Sequence, residues 1–367
     1  MKKARSFDKV FLGLTLLLAS VGLFIFTSAS FGLFFRKGFS LQDLLFGQIV
    51  LGLLLGLVAM IAAYKMPLKW LKIYSLHIFV ASAIVTLFVF VPHVGLQQIK
   101  GAHRWIALGP ASFQPSEALK LAAVIYFAAL LPLLKDKITQ LKYSLVTFAG
   151  VIAVPAIILL LQPDTGTLMV LFLALVGMLL AAGMKIRHFF LLFAGSVVLV
   201  VALAMVRPYV KERLLTFVDP SRDPQGSSYQ LQKSLLAIGS GGITGRGFGQ
   251  SIQKFGSLPE PTGDSIFAVA AEEFGFIGAS AIIILFLLFG VRGIQIARNN
   301  PDMFSGLLAV GIVILIVSQS FANIAAMLGL VPLTGVPLVF ISHGGTALLF
   351  AFLEIGILLN ISKSSRI

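Results

Sequence analysis

The chain has 367 residues, 58% of them apolar and 11% charged, with mean hydropathy +1.00 and no cysteine. Soluble domains run near ~45–50% apolar and ~25% charged, so a water-soluble globular enzyme is excluded. The missing thiols exclude disulfides, thiolate metal sites and cysteine nucleophiles. The 28 Lys and Arg outnumber the 14 Asp and Glu, a balance that fits either nucleic acid or an anionic membrane surface.

Apolar runs lie near 10–30, 44–64, 71–91, 116–134, 145–161, 165–183, 188–206, 264–290, 304–331 and 346–361. Each is bounded by charge, Gly or Pro, and each is long enough or nearly so to cross a bilayer as a helix of ~20 residues. The expected fold is an all-α polytopic membrane protein of about ten spans, one transmembrane domain over 1–367. The first run begins with basic residues, as a signal peptide does, but is too long for a signal core and lacks a cleavage site. It reads as a retained helix.

With both termini cytoplasmic, that side carries sixteen Lys and Arg, from Lys2, Lys3, Arg5 and Lys9 to Lys363 and Arg366, against only Asp8, Asp136 and Asp302. The short outer loops hold Arg36, Lys37, Lys100 and Arg104. The basic excess is therefore a positive-inside signature and an attraction to anionic headgroups. No nucleic-acid footprint remains.

One connection, 207–263, takes 57 residues and lies outside by the charge count. Loops of that length are uncommon without a function, and its SLLAIGS and SIQKF segments predict short helices on or re-entering the membrane surface. The other polar stretches, 92–120 and 332–346, share its side, so a site built from all three faces outward. The halves show no inverted repeat, which weighs against a transporter.

The most informative stretch is SLPEPTGDSIFAVAAEEFGFIGA, 257–279. Pro259, Pro261 and Gly263 forbid a helix up to that point, and Asp264 stands where an N-cap would open the long apolar run. Glu260 lies just upstream, while Glu272 and Glu273 fall inside the run, where carboxylates are costly and are either functional or paired with a cation.

In GAHRWIALGPASFQPSEALK, Glu117 and Lys120 are spaced i,i+3 on one helix face. They make either a structural ion pair or a functional one. Arg104 beside Trp105 reads as an interfacial anchor or as a guanidinium for phosphate. Asp164 in LLLQPDTGT needs no more than an outer turn. AIGSGGITGRGFGQ (237–250) follows no strand and lacks the phosphate-loop pattern, so its glycines allow a tight turn whose amides are open to an anion. The histidines His77, His93, His103, His188 and His343 have no metal-ligand spacing, and His343 in the SHGGT segment is expected to bond backbone.

Taken in order, SFQPSE, QPDTGT, YQLQKSLLAIGSGG, LPEPTGDSIFAVAAEE and GLVPLTGVPL followed by HGGT resemble the SEDS family of bacterial shape, elongation, division and sporulation proteins, from DKVFLGL to the last span. PYVKERLLTFVDPSRDPQGSSYQ and GQSIQKF resemble its cell-division branch more than its elongation branch.

The resemblance implies a ten-helix enzyme of the bacterial cytoplasmic membrane that polymerises lipid II with a class B penicillin-binding protein and other division machinery. It places the family's essential aspartate on Asp264, the motif acid on Glu260, the fourth-span pair on Glu117 and Lys120, and the Arg-Trp pair on Arg104 and Trp105. The family's His-Thr before the aspartate and Phe after it are replaced by Thr262, Gly263 and Ser265. Its aromatic-Gly-Gly-Ser segment has His343 and Thr346.

Lipid II polymerisation needs a base beside the attacking hydroxyl and positive charge beside the departing undecaprenyl diphosphate. Asp264 is the expected base of a one-step inverting transfer, with Arg104, Arg213, Arg246 and Lys254 the expected diphosphate ligands. A divalent cation such as Mg or Mn fits between Glu260, Asp264 and the diphosphate. The glycines of the second span, Gly47, Gly52 and Gly56, offer a docking face for the partner's helix or ordinary packing inside the bundle. A lipid II flippase and a non-catalytic division scaffold are the competing readings.

Overall fold

The computed structural model describes residues 7–33, 46–92, 95, 103–108, 111–221, 226 and 228–365. Lys2, Lys3, Arg5, Arg36, Lys37, His93, Lys100, Arg366 and the Asp136 side chain lie outside them. Helix α1 (Lys9–Phe31) opens at Asp8, whose carboxylate accepts the Phe11 N–H at 2.8 Å. α2 (Phe46–Lys65) is wound with wider π-helical turns over Phe46–Leu54. α3 (Leu68–Ile73) and α4 (Ser75–Leu87) meet at Tyr74, and a 3₁₀ turn carries α4 on to Phe90. The third apolar run is therefore split near its start. An antiparallel hairpin, β1 (Ile106–Leu108) with β2 (Ala111–Phe113), precedes α5 (Pro115–Leu130), whose first-turn proline has no N–H to lose.

α6 (Leu141–Leu161) is followed by α7 (Thr165–Ala181), capped by Asp164, and by α8 (Ile186–Val206). The long connection contains α9 (Pro208–Val218), which was not expected, and α10 (Tyr229–Ser240), the short helix expected of SLLAIGS, while SIQKF holds only a 3₁₀ turn at Gln253–Phe255. Three helices complete the chain: α11 (Ile266–Arg298), α12 (Met303–Met327, capped by Asp302) and α13 (Gly345–Ser362).

Among the described residues eight helices are long and apolar enough to cross a membrane, and the shorter apolar helices Ser75–Phe90 and Thr165–Ala181 cover the two remaining expected runs. The chain is thus a multi-pass membrane protein. α12 is the most enclosed span, whereas α8 turns its apolar side chains outward. α1 joins the interior through Phe11, which packs on Phe289 at 4.9 Å between ring centroids. α13 lies along α2, where a Cβ on Gly52 or Gly56 would come within 2.9 Å of Leu348 or 2.8 Å of Phe352. Gly52 and Gly56 serve close packing inside the bundle, the second of the two readings of this glycine-rich span.

α11 is not one straight helix, because Gly275 has φ 65° and ψ −164°. The glycine-rich segment docks against this break: Phe276 and Ile277 N–H donate to the Gly242 and Ile243 carbonyls at 2.9 and 3.1 Å, and Arg246 and Gly247 N–H donate to the Glu272 and Glu273 carbonyls at 3.0 and 2.9 Å. A Cβ on Gly275 would lie 2.3 Å from the Gly245 nitrogen, so only glycine allows the approach.

The three polar stretches meet at one end of the bundle. Thr346 Oγ1 donates to the Ser112 carbonyl at 3.0 Å, Ser342 Oγ to the Gly263 carbonyl at 2.8 Å, and Arg213 to the Thr334 carbonyl at 3.1 Å.

Candidate active site

The segment Gly263–Asp264–Ser265 forms a turn before α11, with the Gly263 and Ser265 N–H groups both donating to the Glu260 carbonyl. Ser265 occupies the N-cap position, and its hydroxyl accepts from Gln230 Nε2 at 3.0 Å. This corrects the expectation that Asp264 caps the helix: it stands one residue earlier, and its side chain points toward the loop after α12. A Cβ on Gly335 of that loop would lie 3.4 Å from an Arg213 terminal nitrogen, 3.7 Å from an Asp264 carboxylate oxygen and 3.9 Å from an Arg104 terminal nitrogen. Two guanidinium groups and one carboxylate therefore converge within 4 Å of one point. Gly335 has φ +68°, so this approach uses the glycine twice, for its backbone angle and for its missing side chain.

Each charged group is fixed from a different element. Arg104, just before β1, donates through Nε to the Gln162 carbonyl at 3.4 Å and through a terminal nitrogen to the Pro163 carbonyl. Its Nε lies 3.8 Å from Asp164, which also caps α7 by accepting from Thr167 N–H at 3.3 Å. Asp164 is 1% exposed, so the residue read as a plain turn is the buried anchor of Arg104. Arg213 comes from α9, and burial together with the Arg104 cation lowers its pKa from the ordinary arginine value, with Asp164 and Asp264 opposing. Asp164 and Asp264 stand beside the two guanidinium groups, and the terminal nitrogens near Gly335 are the donors an anion would meet.

Glu260 is exposed, and its carboxylate turns back toward Gly263, where a Cβ would lie 3.1 Å from one of its oxygens. Trp105 is half-buried at the start of the hairpin. His343 lies behind the same turn. Its N–H donates to the Thr262 carbonyl at 2.6 Å, and its ring stacks on Phe26 at 6.0 Å. Its buried Nε2 has no partner among the described residues, so the backbone bond expected of His343 runs through its own amide. Burial lowers its pKa, with Glu260 opposing.

The other expected cations are placed elsewhere. Lys254 is fully buried, its ammonium 2.5 Å from Glu273 and 3.0 Å from the Ser28 hydroxyl. Arg246 lies 3.6 Å from Glu272. Glu272 also accepts from Ser251 Oγ at 2.6 Å and from the Ile252 and Gln253 amides at 3.1 and 3.3 Å. Lys254 has no face left for a diphosphate, which corrects that expectation, and Arg246 is held against Glu272 away from the convergence. The anion served by the amides after the glycine-rich turn is the chain's own Glu272.

Glu117 and Lys120 pair at 2.9 Å on α5, inside the bundle. With Gln319 of α12 and Glu354 of α13 they line a cavity of about 10 Å³, room for roughly one water. Glu354, Asp164, Gln319 and Asn323 were missed by sequence reasoning, although a lone glutamate in AFLEIGILL is a signal of its own. Among the described residues no three acidic or histidine side chains gather as a metal site.

Comparison with known proteins now has a geometry to attach to. Residues 8–367 match the family FtsW/RodA/SpoVE, described as cell cycle proteins. Stage V sporulation protein E of Bacillus subtilis is 36% identical over 99% of both chains. A probable peptidoglycan glycosyltransferase FtsW of Idiomarina loihiensis is 38% identical over 86% of this chain and 77% of its own. Among solved structures, a chain from a peptidoglycan synthase complex coordinating polymerization and crosslinking superposes with TM-score 0.79 at 27% identity, covering 97% of each chain. The rod shape determining protein RodA of Thermus thermophilus shares the fold, with TM-score 0.70 at 24% identity over 98% of each chain. The match to the family over nearly its whole length means that this chain belongs to the FtsW/RodA/SpoVE proteins, the SEDS family.

Proposed function

We propose that the chain is a peptidoglycan glycosyltransferase that polymerises lipid II at the outer face of the bacterial cytoplasmic membrane during cell division. The observation that carries this reading is the convergence of the Arg104 and Arg213 guanidinium groups and the Asp264 carboxylate within 4 Å of Gly335. Two cations beside one carboxylate meet what the transfer needs, charge for a diphosphate leaving group and a base for a hydroxyl.

In this reading the 4-hydroxyl oxygen of one disaccharide bonds to the anomeric carbon of another. The bond to the diphosphate oxygen breaks with its electron pair, and the hydroxyl proton passes to Asp264. The leaving group departs as an anion held by Arg104 and Arg213, so no acid is needed, unlike glycoside hydrolysis with its two carboxylates. Inversion at the anomeric carbon follows from a single displacement. Most of the acceleration comes from holding the two substrates in line, while the apolar surfaces of the spans carry the polyprenyl tails. A divalent cation such as Mg²⁺ or Mn²⁺ would take Asp264 and Glu260 together with diphosphate oxygens as ligands and would supply further charge for the leaving group.

A class B penicillin-binding protein is the proposed partner, supported by the likeness to a chain of a synthase complex. The division role rests on the relatives named FtsW, alongside the sporulation protein. The test is purified protein, with and without its cognate penicillin-binding protein, given labelled lipid II. Glycan chains longer than the disaccharide are expected. Transport of lipid II across vesicles with no polymer would instead favour a flippase, and neither activity would favour a scaffold.

A further inference from the structure

Gln319 and Asn323 lie one turn apart on α12, at the i,i+4 spacing that puts them on one face. Both are buried, 3% and 1% exposed. Asn323 Nδ2 donates to the Asp264 carbonyl at 2.8 Å and to the Val336 carbonyl at 2.9 Å. Gln319 Nε2 donates to the Pro337 carbonyl at 3.1 Å, and its Oε1 accepts from Lys120 Nζ at 2.6 Å.

These bonds span the convergence point. On one side is Asp264 and on the other the Thr334–Pro337 segment, which carries Gly335 and accepts from Arg213 through Thr334. Among the described residues no backbone hydrogen bond joins Asp264 to that segment. The amide of Asn323 bridges them directly, beside the Ser342 hydroxyl, which donates to the Gly263 carbonyl and accepts the Leu338 N–H at 2.8 Å, and Gln319 adds a tie one turn away. Lys120, held in turn by Glu117, fixes the Gln319 side chain from α5. The buried pair inside the bundle thus reaches the outer loops through one amide.

We propose that Gln319 and Asn323 are positioning residues that set the separation between the Asp264 carboxylate and the Arg104 and Arg213 guanidinium groups, and with it the alignment of attacking hydroxyl and departing diphosphate. This rests on the glycosyltransferase reading and adds to it the means by which base and anion site are held at a fixed distance. A misplacement of about 1 Å can cost ~100-fold in rate, so these amides act on turnover more than on binding.

The experiment compares wild type, Asp264→Asn, Asn323→Leu and Gln319→Met in the full chain with its partner. Lipid II polymerisation is measured as kcat and KM separately, and the melting temperature is measured in the same detergent. Leu and Met approximate the size of the amides they replace and donate nothing. For both amide variants kcat per folded molecule is expected to fall about 10-fold or more with KM near wild type, beside a lowered melting temperature from the groups left unpaired. Unchanged kcat in both, with wild type active and Asp264→Asn inactive, overturns this inference alone. A loss of activity matched by loss of folded protein in both variants also overturns it, because the amides then only hold the fold. A wild type that makes no polymer overturns the glycosyltransferase reading as well.

Discussion

Arg213 shows how a single residue takes its meaning from what surrounds it. In sequence it is one basic residue among several in a long loop. In the folded chain its pKa is lowered by burial and by the Arg104 cation, while its terminal nitrogen faces the same glycine as Asp264. Two guanidinium groups turned toward one point offer planar forks of donors that suit phosphate oxygens. Arg213→Ala and Arg104→Ala should each lower kcat/KM for lipid II by about 10- to 100-fold, the size of one charge-assisted hydrogen bond of ~1.5–3 kcal/mol. Steady-state kinetics check this. Arg213→Lys should recover only part of the loss, because an ammonium lacks the planar fork that grips phosphate oxygens.

At the scale of elements, the fastening of the long connection between α8 and α11 onto α11 combines a backbone junction with a buried ion network. The glycine-rich segment pairs with the break at Gly275, while Lys254, Arg246, Ser28 and Ser251 engage Glu272 and Glu273. Removing one partner of a buried pair leaves an uncompensated charge, which costs about 3–5 kcal/mol. Lys254→Ala should therefore lower the melting temperature markedly, and Lys254→Ala with Glu273→Gln should recover part of that loss. Thermal unfolding in detergent decides it, and equal melting of wild type and Lys254→Ala would remove the clasp from the account.

This network also marks where sequence reading stops. Apolar runs are a local signal, so most spans could be placed within a few residues, whereas the caps at Asp8, Asp164 and Asp302 went unread and the cap expected at Asp264 falls on Ser265. Lys254 reads as a diphosphate ligand in sequence because nothing within the loop says that it folds back onto α11. Asp164 looked like a turn because its partner Arg104 is 60 residues away in sequence. Gln319 and Asn323 lie on an ordinary apolar helix, and only the loop packed against that face gives them partners.

For the whole molecule, chemistry is gathered at one end of an otherwise apolar bundle. Loops before β1, before α7, within the long connection and after α12 all contribute to the convergence. A base and an anion site in such a place suit a substrate with a polar disaccharide outside and a polyprenyl tail within the lipid. Glu117, Lys120 and Glu354 lie deeper in the bundle, and Lys120 is tied toward that end through Gln319. The residues legible from sequence were those the resemblance placed, above all Asp264. What the fold adds is the identity of its neighbours.

The central claim is that Asp264, beside Arg104 and Arg213, takes the hydroxyl proton in lipid II polymerisation. Its most direct test is glycan-chain formation from labelled lipid II by the protein with its cognate penicillin-binding protein, comparing wild type with Asp264→Asn and Asp264→Ala. The account predicts that both variants fold and bind the partner yet lose the ~100-fold or more that a positioned base contributes. Polymer made by either variant at the wild-type rate would contradict it.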